Sequence, residues 1–312
     1  MLHRAVVFTT LATLMLAVSS GAQQSSPSPA PKKAAPAAPK QTPSNVSGIA
    51  PATEPSTFAD RKLEIPTTAA LLKKTPKDAV DTVAEINGLV RGGQRTTSSY
   101  NVLEFTATGT MAEPGADGKW QEYKISKLVA GMDFVLPALR FDVAFAGPDG
   151  HAKHQIRVAS GKQAWDEEKP GINGTAMPDT TVEDRLRLVW LTPPAALWGA
   201  LRAEDAGDKV VVADEGGKAT ISYSMKNGEP VKIVLDAGMK PERIEIQAHS
   251  HAFGNTLMEA DCSAYKDFEG YAAPFPTRMT YKAGARTILD LNISNHVVNP
   301  YVVFLVPTNM SK

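Results

Sequence analysis

The chain has 312 residues, with 33 Lys or Arg balanced by 33 Asp or Glu, so its formal net charge is zero. That balance argues against a nucleic-acid binder, which carries a basic face or stripe, and against simple electrostatic docking on anionic lipid. A single cysteine, Cys262, excludes an internal disulfide, and a hydrophobic content of 43% is ordinary for a globular protein.

Residues 1–22 read as an export signal. His3 and Arg4 form the basic region, Ala5 to Val18 the apolar core, and Ser20-Gly21-Ala22 a small-residue cleavage site. The apolar run is shorter than the roughly 20 residues a spanning helix needs, and an uncleaved anchor is the rival reading. No cysteine stands at its end, so a lipid anchor is not expected. The expected location is therefore the periplasm. Residues 23–60 form a Pro/Ala-rich linker that buries too little apolar surface to offset its chain entropy, and it is expected to be disordered. Its prolines favour an extended spacer over a slack tether.

The domain is expected over residues 70–307. A helix is predicted from Pro76 to about Leu89, with Thr75 as N-cap, an apolar stripe of Val80, Val83, Ala84 and Ile86, and Gly92-Gly93 as its end. Strands follow. Asn101 to Thr110 alternates Leu103, Phe105 and Ala107 with polar residues, Lys119 to Leu128 carries Tyr123 and Ile125, and Leu139 to Phe145 sets Leu139, Phe141, Val143 and Phe145 on one face. Gln155–Ser160 and Gln163–Trp165 form a hairpin about Gly161-Lys162. The period then changes. Thr180 to Glu183 matches a capping box for a helix reaching Leu191, and Thr192-Pro193-Pro194 stops it and starts another that runs to about Ala203. Strands return at 209–213, 219–225, 231–236 and 243–249, ahead of two last hairpins.

The most distinctive run is the last. Tyr265-Lys266-Asp267-Phe268-Glu269-Gly270 makes a turn, Pro274-Phe275-Pro276-Thr277-Arg278 opens a strand, Lys282-Ala283-Gly284-Ala285 turns again, and the closing strand ends in Val298-Asn299-Pro300. This stretch resembles the C-terminal half of the periplasmic lipoprotein-carrier family, the Lol-type carriers and their exported relatives. Trp190-Leu191-Thr192-Pro193 also looks like the lid stretch of such relatives. The resemblance implies an α+β fold, a large curved antiparallel β-sheet forming an open half-barrel covered by short helices. The helix and strand order, read independently, agrees with it. Family carriers hold their lid with a basic residue on an early strand. Arg140 lies in a strand, but its neighbours do not match that motif, so the role is not carried over.

No reaction assembles from the residues, and the chain is not expected to be an enzyme or to need a cofactor. His151 with His154, and His249 with His251, lack a companion Cys or an HExxH helix, so no metal site is expected. Cys262 reads as a small buried hydrophobe, and no nucleophile elbow or phosphate-binding glycine loop is present.

A container remains. The candidate sheet floor is Phe105, Phe141, Val143, Phe145 and Trp165, and the candidate helical cover is Leu186, Trp190, Leu197, Trp198 and Leu201. A lipid, a lipidated protein or another apolar ligand would lie between them. Alternatively, the same residues fill a core, and the protein is a structural or interaction module engaging an envelope partner, or an accessory domain without its enzyme. A monomer is expected.

Overall fold

The computed structural model describes residues 63–89, 100–114, 119–270 and 272–310. The export signal and the linker lie outside these residues, as do Gly92-Gly93. The described residues all fall within one compact unit, 54–312.

A single turn of helix, α1 (Thr68–Leu71), precedes α2 (Pro76–Ile86). The Thr75 side chain accepts from the Asp78 N–H, satisfying a donor that the first helical turn leaves free. The helix ends earlier than predicted, at Asn87 and Gly88. Gly88 has φ +78°, and a Cβ there would lie 2.5 Å from the Ala272 carbonyl oxygen, so chain direction and close approach both require glycine.

Six strands then run in sequence: β1 (Val102–Pro114), β2 (Trp120–Asp133), β3 (Ala138–Ala146), β4 (Ala152–Ser160), β5 (Gln163–Glu167) and the short β6 (Thr175–Ala176). Two helices follow, α3 (Thr180–Trp190) and α4 (Pro193–Asp205). The capping box expected at Thr180 does not form. Asp179 is the N-cap, without a side-chain hydrogen bond, and Glu183 turns to Arg187 instead. Seven more strands follow: β7 (Val211–Glu215), β8 (Lys218–Ser224), β9 (Pro230–Leu235), β10 (Pro241–Ser250), β11 (Gly254–Lys266), β12 (Phe275–Ala283) and β13 (Arg286–Val298).

All thirteen join in one antiparallel sheet, ordered β6-β5-β4-β3-β2-β1-β13-β12-β11-β10-β9-β8-β7. Every neighbour is consecutive except β1 with β13, so the sheet would be a ring were β6 and β7 paired. They are not, and α3 and α4 occupy the chain between them. The result is an open half-barrel. Bulges at Thr106/Ala107 and Ala107/Gly109 bend β1 beside its two partners.

The curl can be measured from contacts. Trp120 starts β2 and Phe253 sits in the β10–β11 turn, four strand spacings away along the sheet, or about 19 Å if it were flat. Their rings stack with centroids 5.6 Å apart. The concave face is therefore inside, and it carries the main core, including Phe105, Leu128, Ile244, Met279 and Leu291. Among the described residues no helix is long and apolar enough to cross a membrane.

The convex face has a cover of its own. Beyond β13 the chain runs over Gly131, where a Cβ would meet Val302 at 2.8 Å, and on to Gly174. Phe304, Val306 and Met310 pack on Ile156, Val158 and Trp165. Asn309 fastens this strap to Gly174 by two reciprocal hydrogen bonds of 3.1 and 2.7 Å.

Candidate functional site

A cavity of about 410 Å³ lies between the concave face and α3. Its floor comes from Ile125, Leu128, Leu139, Phe141, Val143, Met258 and Leu289, and Leu188 faces it from α3. The stacked Trp120 and Phe253 close one end, with the Arg286 guanidinium 4.5 Å from the Trp120 ring on the outside.

One wall is polar. Glu113, Gln155, Arg157, Asp166, Thr181 and Arg185 line the cavity toward β4 and β5, and Asp184 lines it toward the β10–β11 turn, where the Ala252 amide donates to it at 3.2 Å. Arg157 grips both oxygens of Glu113, one of them at 3.0 Å, and donates Nε to Gln155 Oε1 at 3.0 Å. Gln155 in turn donates to Asp166 Oδ2 at 2.7 Å, and Arg185 Nη2 donates to Asp166 Oδ1 at 2.6 Å. Burial lowers the pKa of Arg185, and the Asp166 carboxylate partly offsets it.

Helix α3 is held from both sides of the opening. Arg185 Nη1 donates to the carbonyls of Val158 on β4 and Trp165 on β5, at 2.9 and 2.8 Å. Two residues on, Arg187 Nη2 donates to Glu229, just ahead of β9, at 2.6 Å and to the His249 carbonyl of β10 at 3.0 Å. Arg187 is only 2% exposed. Burial works to raise the Glu229 pKa, but bonds from Arg187, the His249 amide and Asn227 prevail and hold it below the usual carboxylate range.

Behind α3 is a second pocket of about 390 Å³, lined by Pro137, Leu186, Trp190, Ala203, Tyr223 and Met225 among others. The helix is thus a partition. Thr181, Asp184, Arg185 and Leu188 face the inner cavity, and Glu183, Leu186, Arg187 and Trp190 face the outer pocket, as a period of 3.6 residues requires.

The candidate residues from the sequence are distributed as follows. Phe141 and Val143 line the inner cavity. Phe105 lies deeper, against Phe275, and Phe145 packs edge-on to Tyr123. Trp165 stands on the convex face beneath the strap, its indole N–H donating to Glu167 at 2.7 Å. The β4–β5 register explains this: Phe141 pairs with Arg157, which pairs with Asp166, so the concave position on β5 belongs to Asp166 and Trp165 points the other way. Leu186 and Trp190 line the outer pocket. Leu197 and Leu201 are buried in the core, and Trp198 is packed under Arg202.

The polar wall escaped the sequence reading, although one signal pointed to it. Once Gly161-Lys162 is taken as a two-residue turn, counting outward pairs Arg157 with Asp166 across the hairpin. The histidine pairs sit at β4 and at the end of β10, which are not neighbours in the sheet, and His154 bonds to Asp142 at 2.7 Å. Among the described residues no group of three or more His, Cys, Asp or Glu is gathered to hold a metal. Cys262 is buried, and burial pushes its thiol pKa up. Arg140 pairs with Glu167 through two bonds, of 2.8 and 3.2 Å, on the convex face, away from α3.

No family model matches the chain, and no curated protein does. Among solved structures, a LolA superfamily protein from Nitrosomonas europaea is similar, with a TM-score of 0.41 and 13% identity, over 72% of this chain and 94% of that one.

Proposed function

We propose that the protein is an exported, non-enzymatic binding or carrier protein of the periplasm. As a monomer, it holds the apolar part of a lipid or lipidated protein between the concave sheet face and α3. The observation that carries this reading is the inner cavity: an apolar floor, an end closed by two stacked aromatic rings, and a single helix as cover. The likeness of the Tyr265–Pro300 run to Lol-type carriers supports it.

Burying a chain of roughly a dozen methylenes at about 0.8 kcal/mol each yields roughly 10 kcal/mol. Association costs of about 4–15 kcal/mol consume much of that, so net affinity depends on whether the ligand's polar end is matched. The test is native mass spectrometry of the protein purified from its own envelope, followed by lipid extraction. A stoichiometric acyl-containing adduct is expected. A clean apo mass that does not shift on adding lipids or lipopeptide would favour the alternative, a structural module. The filled packing of α4, where Leu197 and Leu201 are buried, gives that alternative its footing.

A further inference from the structure

We infer that the inner cavity selects amphiphiles whose head donates hydrogen bonds and carries no negative charge, such as hydroxyl or amide heads, over carboxylate or phosphate heads. This rests on the carrier reading and adds the ligand's chemical class to it. The argument is one of unspent hydrogen-bonding capacity along the polar wall. Every guanidinium nitrogen of Arg157 already donates, to Glu113 or Gln155. Both terminal nitrogens of Arg185 are likewise engaged, with Asp166 and with the Val158 and Trp165 carbonyls, which leaves it Nε and one Nη2 N–H.

The acceptors are in a different position. Glu113, Asp166 and Asp184 each receive bonds on both carboxylate oxygens, yet a carboxylate has about four lone-pair sites. Free acceptor sites therefore remain where free arginine donors are few. A hydroxyl or amide N–H adds to this wall without disturbing it. An anionic head would find only the few N–H groups that the two arginines leave unspent and would lie against the Glu113 and Asp166 carboxylates, whose charge repels it. The wall is also reachable, since Glu113 is 33% and Asp166 21% exposed, which places the head at the mouth and the chain over Phe141 and Val143.

The experiment is calorimetric titration of the full-length protein with a monoacylglycerol and with the fatty acid of the same chain length, in mildly alkaline buffer where the acid is ionised. The monoacylglycerol is expected to bind at least about tenfold more tightly. Glu113→Gln, which removes one charge and releases an arginine donor, is expected to narrow that ratio by raising affinity for the acid. Equal or tighter binding of the fatty acid by the unaltered protein would overturn the inference while leaving the carrier reading intact. Binding of neither probe would overturn both. The ratio for the unaltered protein decides the matter even if the variant folds poorly.

Discussion

His296 illustrates how one residue's surroundings set its chemistry. It lies on β13, stacked on Phe275 with centroids 4.3 Å apart, and its Nε2 is hydrogen-bonded to the Tyr100 hydroxyl. Burial lowers its pKa to about 4, with Asp267 opposing. In the unfolded chain the imidazole takes up a proton near pH 6.5, so the unfolded state binds more protons between about 6.5 and 4. Stability is full above that window and is lost as pH falls through it, by roughly 3 kcal/mol from this group. In His296→Gln, whose amide can still meet Tyr100, denaturant melts across the same window should show that much less pH dependence. An unchanged slope would remove His296 as the cause. Arg187 and Glu229 give a second expectation. Glu229→Leu leaves the Arg187 guanidinium buried with fewer partners and should cost roughly 3 kcal/mol, lowering the thermal midpoint by about 6–12 °C. A loss below about 1 kcal/mol would show that Asp184, Glu183 and the His249 carbonyl together satisfy the guanidinium.

Among the elements, α3 differs from α4. Nine of the thirteen residues of α4 are buried, whereas α3 buries Val182, Arg187 and Val189 and has open space on both sides. This contrast allows a test of cavity against filled core. Val143→Phe adds volume at the cavity floor. If the space is open, the variant should keep its stability within about 1 kcal/mol and lose most of its apolar-probe uptake. A filled core would be overpacked, at a cost of about 1–3 kcal/mol. The strap permits a separate test. Ending the chain after Asn299 uncovers Trp165, Ile156 and Val158, and should lower the thermal midpoint and red-shift tryptophan emission. No shift in emission would mean that the strap does not shield Trp165. The strap's outer side is itself apolar, with Tyr301 94% and Leu305 67% exposed.

For the molecule as a whole, the opening between β6 and β7 matters most, because α3 and α4 lie in the chain that spans it. A ligand that binds only the folded state raises its stability by about 2.7 kcal/mol at a hundredfold excess over Kd. Monoacylglycerol at that level should raise the thermal midpoint by roughly 5–11 °C, in a dose-dependent manner. A flat midpoint would count against a cavity ligand of this kind. Much of the architecture was legible in the chain. Alternation in Leu139–Phe145, the Gly161-Lys162 and Asn227-Gly228 turns, and Thr75-Pro76 and Thr192-Pro193 at helix starts are all local signals. Each depends on residues a few positions apart, and each element appears where its signal lies. Alternation also determined which residues share a face of a strand. It could not determine which face becomes the inside of a curled sheet, because that depends on contacts such as Trp120 with Phe253, 133 positions apart in the chain. For the same reason Trp165 reads as floor in the sequence and lies beneath the strap in the structure, where the tail from β13 covers it. The polar wall is likewise a product of tertiary structure, since only the curl of the sheet and the docking of α3 bring Glu113, Arg157, Asp166 and Arg185 around one space.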